Sequence, residues 1–119
     1  MENELIINVR KFMGNDMLSG RSSDDGSPSA ESLRKYIMDN WDQYERISIS
    51  LDNVVQMTRP FQDEAFAKLL EDRSLDDFNQ KIHFPDAKEN VVKELNNAFK
   101  IRLRIIQSQK DKTGDELGL

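Results

Sequence analysis

The segment at residues 46–71, RISISLDNVVQMTRPFQDEAFAKLLE, constrains the fold more than any other part of the chain. In its first seven residues Ile47, Ile49 and Leu51 alternate with serines, and a period of two is typical of a β-strand. From Pro60 onward apolar residues recur every four positions, which predicts a helix, and proline suits the first helical position. We therefore predict a buried strand, a tight turn and an amphipathic helix at residues 47–70. The spacing leaves the serine face either covered by a helix or open to water.

The remaining elements alternate in type along the chain. The patterns predict a strand at 5–9, helices at 30–40 and 74–78, a strand at 81–84 and a last helix at 87–107. Ser27 or Ser29 is expected to cap the helix at 30–40. The buried stripe of that helix is expected to contain Leu33, Tyr36, Ile37 and Trp41. Strands that alternate with helices predict a small α/β domain whose sheet is mostly parallel, with helices packed on it.

Two stretches are too polar to join the core. Residues 14–28 hold three of the five glycines and end at Pro28, so they predict a loop of a length that is often functional or disordered. Residues 109–119 are polar and charged, which predicts a disordered C-terminal tail. Residues 1–108 are therefore expected to form one domain.

The composition excludes several classes of function. With no cysteine and one histidine, the chain has no thiol nucleophile, no disulfide and none of the usual zinc ligand sets. We find no nucleophile–base arrangement, so we expect neither an enzyme nor a cofactor. The net charge of −5 argues against a nucleic-acid partner, and the basic stretch at residues 100–104 is interpreted as a solvated helix end. Without a signal peptide or a long apolar run, we expect a cytoplasmic protein that does not enter the membrane.

The turn between the central strand and the next helix is the most favourable place for a site. Ligands and regulators of open α/β sheets gather at the carboxyl ends of strands, and the first amides of a helix attract negative charge. Thr58 precedes the helix and is interpreted either as an ordinary cap or as a phosphoacceptor. Asp63 and Glu64 are adjacent and diverge by about 100° on a helix, so they cannot form a catalytic carboxylate pair. They are expected to stabilise the helix start or to pair with Arg21 or Arg59.

Three segments resemble a known family. GRSSDDGSPSAESLRKYI is similar to the G-x-R…G-x-x-S-x-x-x-x-R opening of a bacterial STAS-like domain of unknown function. ISLDNVVQMTRPFQDEAFAKLL is similar to the LD…V…T-x-S-F-x-D-E-A-F segment of that family, and SLDDFNQKIHFPDAKENVVKELNNAF to its short helix, strand and last helix. The resemblance covers about residues 5–100. It implies a small STAS-like fold with a mostly parallel sheet of few strands.

The resemblance also implies a regulatory function. The family is distantly similar to STAS domains that antagonise anti-sigma factors, in which a serine at the start of the helix after a central strand is phosphorylated by a histidine-kinase-type ATPase. By analogy we expect a non-enzymatic domain that binds a protein partner, such as an ATPase of that type, through residues 56–66. The expected contacts are Thr58, Arg59, Pro60, Phe61, Asp63 and Glu64.

Pro60 occupies the position where the family has its serine, and proline has no hydroxyl to phosphorylate. Either the phosphorylation switch uses Thr58, or the turn binds its partner without such a switch. A third alternative is a sensor of small anions or nucleotides, in which the loop at 14–28 folds over the turn and Arg21 and Arg59 meet the anion. Exposed Val or Ile side chains on the last helix would also provide a surface for a homodimer.

Overall fold

Strands and helices alternate along the chain in the computed structural model, which describes residues 2–116. The strands are β1 (Glu2–Asn8), β2 (Met17–Leu18), β3 (Tyr44–Ser50), β4 (Gln56–Met57) and β5 (Ile82–His83). The helices are α1 (Val9–Met13), α2 (Ala30–Asn40), α3 (Arg59–Ala65), α4 (Leu75–Lys81) and α5 (Glu89–Glu116). Short 3-10 helices at Trp41–Gln43 and Ala67–Glu71 follow α2 and α3.

The sheet is parallel, with β3 between β1 and β5. Ile47 lies beside Leu5 on one side and Ile82 on the other, and Ile49 lies beside Ile7. Ile47 and Ile49 are fully buried in the hydrophobic core, as the alternating pattern predicted. The predicted mixed α/β class and mostly parallel sheet are therefore confirmed.

The serine face of β3 differs from the isoleucine face. Ile6 neighbours Ser48 in the register of β1 and β3, and its side chain is 66% exposed, so this face opens to solvent there. Ser48 is nonetheless buried, and its hydroxyl is satisfied by donating to Glu4 Oε2 at 2.5 Å. The serine face is therefore open at Ile6 and covered at Ser48, so neither of the two arrangements that the sequence left open holds along its whole length.

Helix α3 lies against the core through its aromatic side chains. Phe61, Ala65 and Phe66 have no exposed surface. Phe66 leaves the helical conformation with a φ of −121° and packs edge-on against both Phe61 and Phe84. The predicted single helix from Pro60 to residue 71 is therefore wrong, because this aromatic packing ends α3 and a 3-10 helix continues the chain.

Two local predictions near the other helices need correction. The strand predicted at residues 5–9 ends at Asn8, whose side chain accepts the Lys11 N–H at 2.9 Å and so begins α1 at Val9. In α2, Ser29 is the N-cap, one of the two serines predicted for that position, but Tyr36 is 40% exposed and lies beside Phe12, with ring centroids 5.5 Å apart.

The polar loop at residues 14–28 is fastened to the turn after β3. Strand β2 pairs in parallel with β4, and the Thr58 N–H donates to the Leu18 carbonyl at 2.9 Å. The Val55 N–H donates to the Asp16 carbonyl at 2.8 Å. These strands were missed in the sequence because two residues are too few to show a period.

The chain beyond residue 108 also differs from expectation. Helix α5 continues to Glu116, through most of the segment for which the sequence predicted a disordered tail, and residues 117–119 lie outside the described residues. The physical reason is that extending a formed helix adds one hydrogen bond per residue, whereas starting a helix is costly. None of the helices in residues 2–116 is both long enough and apolar enough to cross a membrane.

Candidate functional site: an arginine-lined pocket between α3 and α5

The predicted turn residues divide into exposed and buried members. Arg59 and Pro60 are exposed at the start of α3, whereas Phe61 and Glu64 are buried. In this conformation Phe61 and Glu64 are covered, and their contact with a partner stays a prediction. They support the surface from below, and Arg59 and Pro60 form it.

Thr58 occupies the N-cap position of α3 but does not act as a cap. Its side chain makes no capping hydrogen bond, and its Oγ1 is buried without a partner in the described part of the chain. The nearby turn is held instead by Gln62, whose Nε2 donates to the Met57 carbonyl at 3.1 Å. The predicted position of Thr58 is correct, but the predicted capping bond is absent.

Asp63 is held by arginines from two distant parts of the chain. Arg21, in the loop at 14–28, donates through Nη1 to Asp63 Oδ2 at 2.7 Å. Arg102, on α5, donates through Nε to Oδ1 at 2.9 Å and through Nη2 to Oδ2. This two-pronged contact is the strong geometry for an arginine–carboxylate pair. It fixes both the loop and α5 to α3.

Arg21 was predicted as a partner of these carboxylates, whereas Arg102 was missed. Its position in the basic stretch at 100–104 suggested a solvated helix end, yet its side chain is only 11% exposed. A signal was present in the spacing, because Arg102 follows the buried Leu95 by seven residues and Ala98 by four. Such residues share one face of a helix.

Glu64 is the centre of a second set of ion pairs. Arg34 of α2 donates through Nη1 to Glu64 Oε2 and to the Glu64 carbonyl at 3.0 Å. Lys68 Nζ lies 3.0 Å from Oε1, and Arg21 Nη1 lies 3.3 Å from the same oxygen. The Glu64 side chain is 5% exposed, so its charge is compensated almost entirely by these cations.

A pocket of about 310 Å³ lies above these ion pairs, between α3 and α5. We call it the arginine pocket, and its lining residues are Arg21, Arg59, Pro60, Asp63, Ala98, Ile101, Arg102 and Ile105. The alternative of a small-anion sensor predicted that Arg21 and Arg59 would meet one anion, and both residues line this pocket. Its walls combine three guanidinium groups with apolar side chains, a combination that suits an anionic group attached to an apolar one.

Comparison with known proteins places the fold in a family. A family model described as a STAS-like domain of unknown function (DUF4325) matches residues 29–92, slightly more than half of the chain. The chain belongs to this STAS-like family. No curated protein and no solved structure matches it. Within the site, Arg34, Asp63 and Glu64 lie inside the matched segment, whereas Arg21 and Arg102 lie outside it.

Two charged residues of the family motifs form an ion pair with each other in this STAS-like domain. Arg34 ends the G-x-x-S-x-x-x-x-R pattern that begins at Gly26, and Glu64 belongs to the D-E-A-F pattern. Because these two side chains form a buried ion pair, their first role is to join α2 to α3. Ser29, the serine of the first pattern, caps α2 through the Ser32 N–H at 3.2 Å.

The ion pairs shift the acidity of both carboxyl groups of the STAS-like domain. Burial acts to raise the pKa of Asp63, but the hydrogen bonds from Arg102 and Arg21 outweigh it and lower that pKa. Burial likewise opposes the lowering of the Glu64 pKa by Lys68 and Arg34. Both groups are therefore fixed negative charges at neutral pH. Among the described residues, no group of three or more His, Asp or Glu side chains is arranged to hold a metal ion.

Proposed function

We propose that this STAS-like domain is a non-enzymatic regulatory module that binds a protein partner through the exposed start of α3 and the arginine pocket. The observation that carries the proposal is the exposure of Arg59 and Pro60 beside a pocket whose base is locked by ion pairs. A surface held rigid by Arg21 and Arg102 needs little ordering when a partner docks, which favours binding. The resemblance to anti-sigma-factor antagonists makes a histidine-kinase-type ATPase the first partner class to test.

The placement of Thr58 favours binding without a phosphorylation switch. Its Oγ1 is enclosed, so a kinase would have to open the turn and break the Thr58 N–H to Leu18 carbonyl bond before it could reach the hydroxyl. We expect an unmodified Thr58 when the folded protein is incubated with ATP and a purified ATPase of this type. Mass spectrometry of the 47–70 peptide checks this, and stoichiometric phosphate on Thr58 would restore the switch.

Partner binding is tested by affinity capture with two charge reversals. The native chain and the two variants, Arg59→Glu and Lys100→Glu, are each immobilised, and the proteins that each one captures are quantified. The captured proteins are then purified, and their binding to each chain is measured directly. Lys100 is a matched control because it is on α5, one residue from Ile101, yet lines a different depression with Asn96 and Asn97. We expect the partner to be lost with Arg59→Glu and retained with Lys100→Glu. Equal binding by both variants, or turnover of a metabolite by the native chain, would overturn the proposal.

A further inference from the structure

The arginine pocket keeps hydrogen-bond donors after its internal pairing is complete. Arg21 reaches the carboxylates through Nη1 alone, although a guanidinium carries five N–H donors. Arg102 uses Nε and Nη2 on Asp63, and its Nη1 lies 3.7 Å from Glu71 Oε2, which is too long for a hydrogen bond. Arg59 has no carboxylate partner in the part of the chain that the structure describes. The pocket thus retains hydrogen-bond donors that an incoming carboxylate can accept.

The charge of the pocket is opposite to that of the whole chain. Three arginines line it against one carboxylate, Asp63, while the chain as a whole carries −5. Glu64 and Glu71 do not line the pocket: Glu64 pairs with Arg34 and Lys68 as well as with Arg21, and Glu71 Oε2 lies 3.7 Å from Arg102 Nη1. A local positive surface on an acidic protein steers acidic partners toward that place and repels them elsewhere.

The apolar wall of the pocket indicates that the acidic ligand also carries an apolar group. Ala98, Ile101 and Ile105 follow helical spacing along α5 and cover about 10 Å of its length. Ile105 is 37% exposed, and Pro60 lies on the opposite side of the pocket. A free phosphate or a nucleic-acid backbone would leave these side chains in water, whereas an amphipathic protein segment would cover them.

We infer that the arginine pocket receives an acidic amphipathic segment of the partner protein, with its carboxylates on Arg59 and on the free donors of Arg21 and Arg102. An apolar side chain of that segment packs on Ile101 and Ile105. The inference rests on the proposed function and narrows it to one chemical class of partner.

The test is a selection that does not presume a sequence. A random peptide library displayed on phage is selected for binding to the native chain. Peptides that also bind the Arg59→Glu variant, and so do not depend on the pocket, are removed. We expect surviving peptides that are rich in Asp and Glu and that also contain Leu, Ile or Phe. Survivors that are basic or uncharged, or an absence of pocket-dependent survivors, would overturn the inference.

The survivors are then synthesised with a fluorescent label and titrated by anisotropy. We expect Arg59→Glu to weaken binding about tenfold or more, and Lys100→Glu to change it less than about twofold. Ile105→Ser is expected to weaken binding without changing the charge. Circular dichroism of each variant confirms that it is folded. Displacement by inorganic phosphate would indicate a small-anion site instead, and tighter binding of a single-stranded RNA oligonucleotide would indicate a nucleic-acid site; either result contradicts the inference.

The two proposals fail in different ways. If capture of a protein depends on Arg59 but the selected peptides are not acidic, partner binding stands and the inference of an acidic segment is wrong. If capture does not depend on Arg59, the proposed function itself is wrong.

Discussion

The two faces of helix α3 are held in place by different kinds of interaction. The inner face, with Phe61 and Ala65, is completely buried in the apolar core. The outer face, with Asp63 and Glu64, is tied by ion pairs to the loop at 14–28, to α2 and to α5. Burial is non-directional and determines whether the domain folds. Ion pairs have defined geometry, so the outer face determines where the loop and α5 lie and hence the shape of the arginine pocket.

The largest effect is expected on the inner face. Phe61→Ala should lower the free energy of unfolding by about 3–5 kcal/mol, because it removes a fully buried ring and leaves a cavity. Urea denaturation followed by circular dichroism measures the loss. Phe61→Leu, which keeps most of the volume, should lose clearly less. If Phe61→Ala cost less than the Glu64 variant below, the division between the two faces would be wrong.

A smaller loss is expected on the outer face at Glu64. Glu64→Gln keeps the shape but leaves Arg34 and Lys68 without a charged partner, and we expect a loss of about 2 kcal/mol. Removing one of the cations, in Lys68→Ala, should cost less than about 1 kcal/mol because Lys68 is partly exposed and Arg34 stays in place. Both values come from the same urea experiment. Equal losses would show that the buried carboxylate is not the centre of the network.

The outer face should also make stability depend on acid pH. The Asp63 and Glu64 pKa values are lowered in the folded state from ordinary values of 3.8 and 4.5. Below those values the unfolded chain binds more protons than the folded one, so stability is full above about pH 5 and falls as the pH drops through the folded pKa values. The double variant Asp63→Asn, Glu64→Gln should be less stable at pH 7 but lose less on acidification. Melting curves between about pH 7 and pH 2 compare the slopes. Parallel slopes would contradict the ion-pair interpretation.

The smallest effect on stability is expected at Arg21. Its side chain is 46% exposed, so Arg21→Ala should cost about 0.5 kcal/mol. The loop at 14–28 should nevertheless open more often, because an anchor to α3 is lost. Cleavage by endoproteinase Asp-N, which recognises Asp24 and Asp25 in this loop, should be faster. Arg46→Ala, which removes an ion pair with Glu4 on the solvent-facing side of the sheet, should leave loop cleavage unchanged.

The inner face was predictable from the sequence because buried apolar residues recur at a regular spacing along the chain. The alternation of Ile47 and Ile49 located the central strand, and the spacing of Phe61 and Ala65 located α3. The end of α3 at Phe66 was not predictable, since it depends on contact with Phe84, which lies far along the chain. The two-residue strands β2 and β4 depend on main-chain hydrogen bonds between distant segments, and such bonds leave no pattern of side chains.

The outer face was predictable only in part. Opposite charges suggested that Arg21 would meet Asp63 or Glu64, and it meets both. Arg102 was missed because a charged residue in a basic stretch was expected to be solvated, although its helical position pointed toward the core. The position of Thr58 before α3 was predictable from the sequence. The absence of a capping hydrogen bond from its side chain was not, because that bond depends on the rotation of the side chain within the folded turn.

Arg21 and Arg102 reach Asp63 from opposite sides of the family segment at residues 29–92. The ion pair Arg34–Glu64, which joins α2 to α3, lies wholly within this segment. Two of the three arginines of the pocket, Arg21 and Arg102, are therefore supplied from outside the family segment, whereas Arg59 lies inside it. Exchange of the two flanking stretches would change the neighbours of Arg59 and the apolar wall of the pocket while leaving the Arg34–Glu64 pair in place, and the same exchange is a route to redirecting this domain by design.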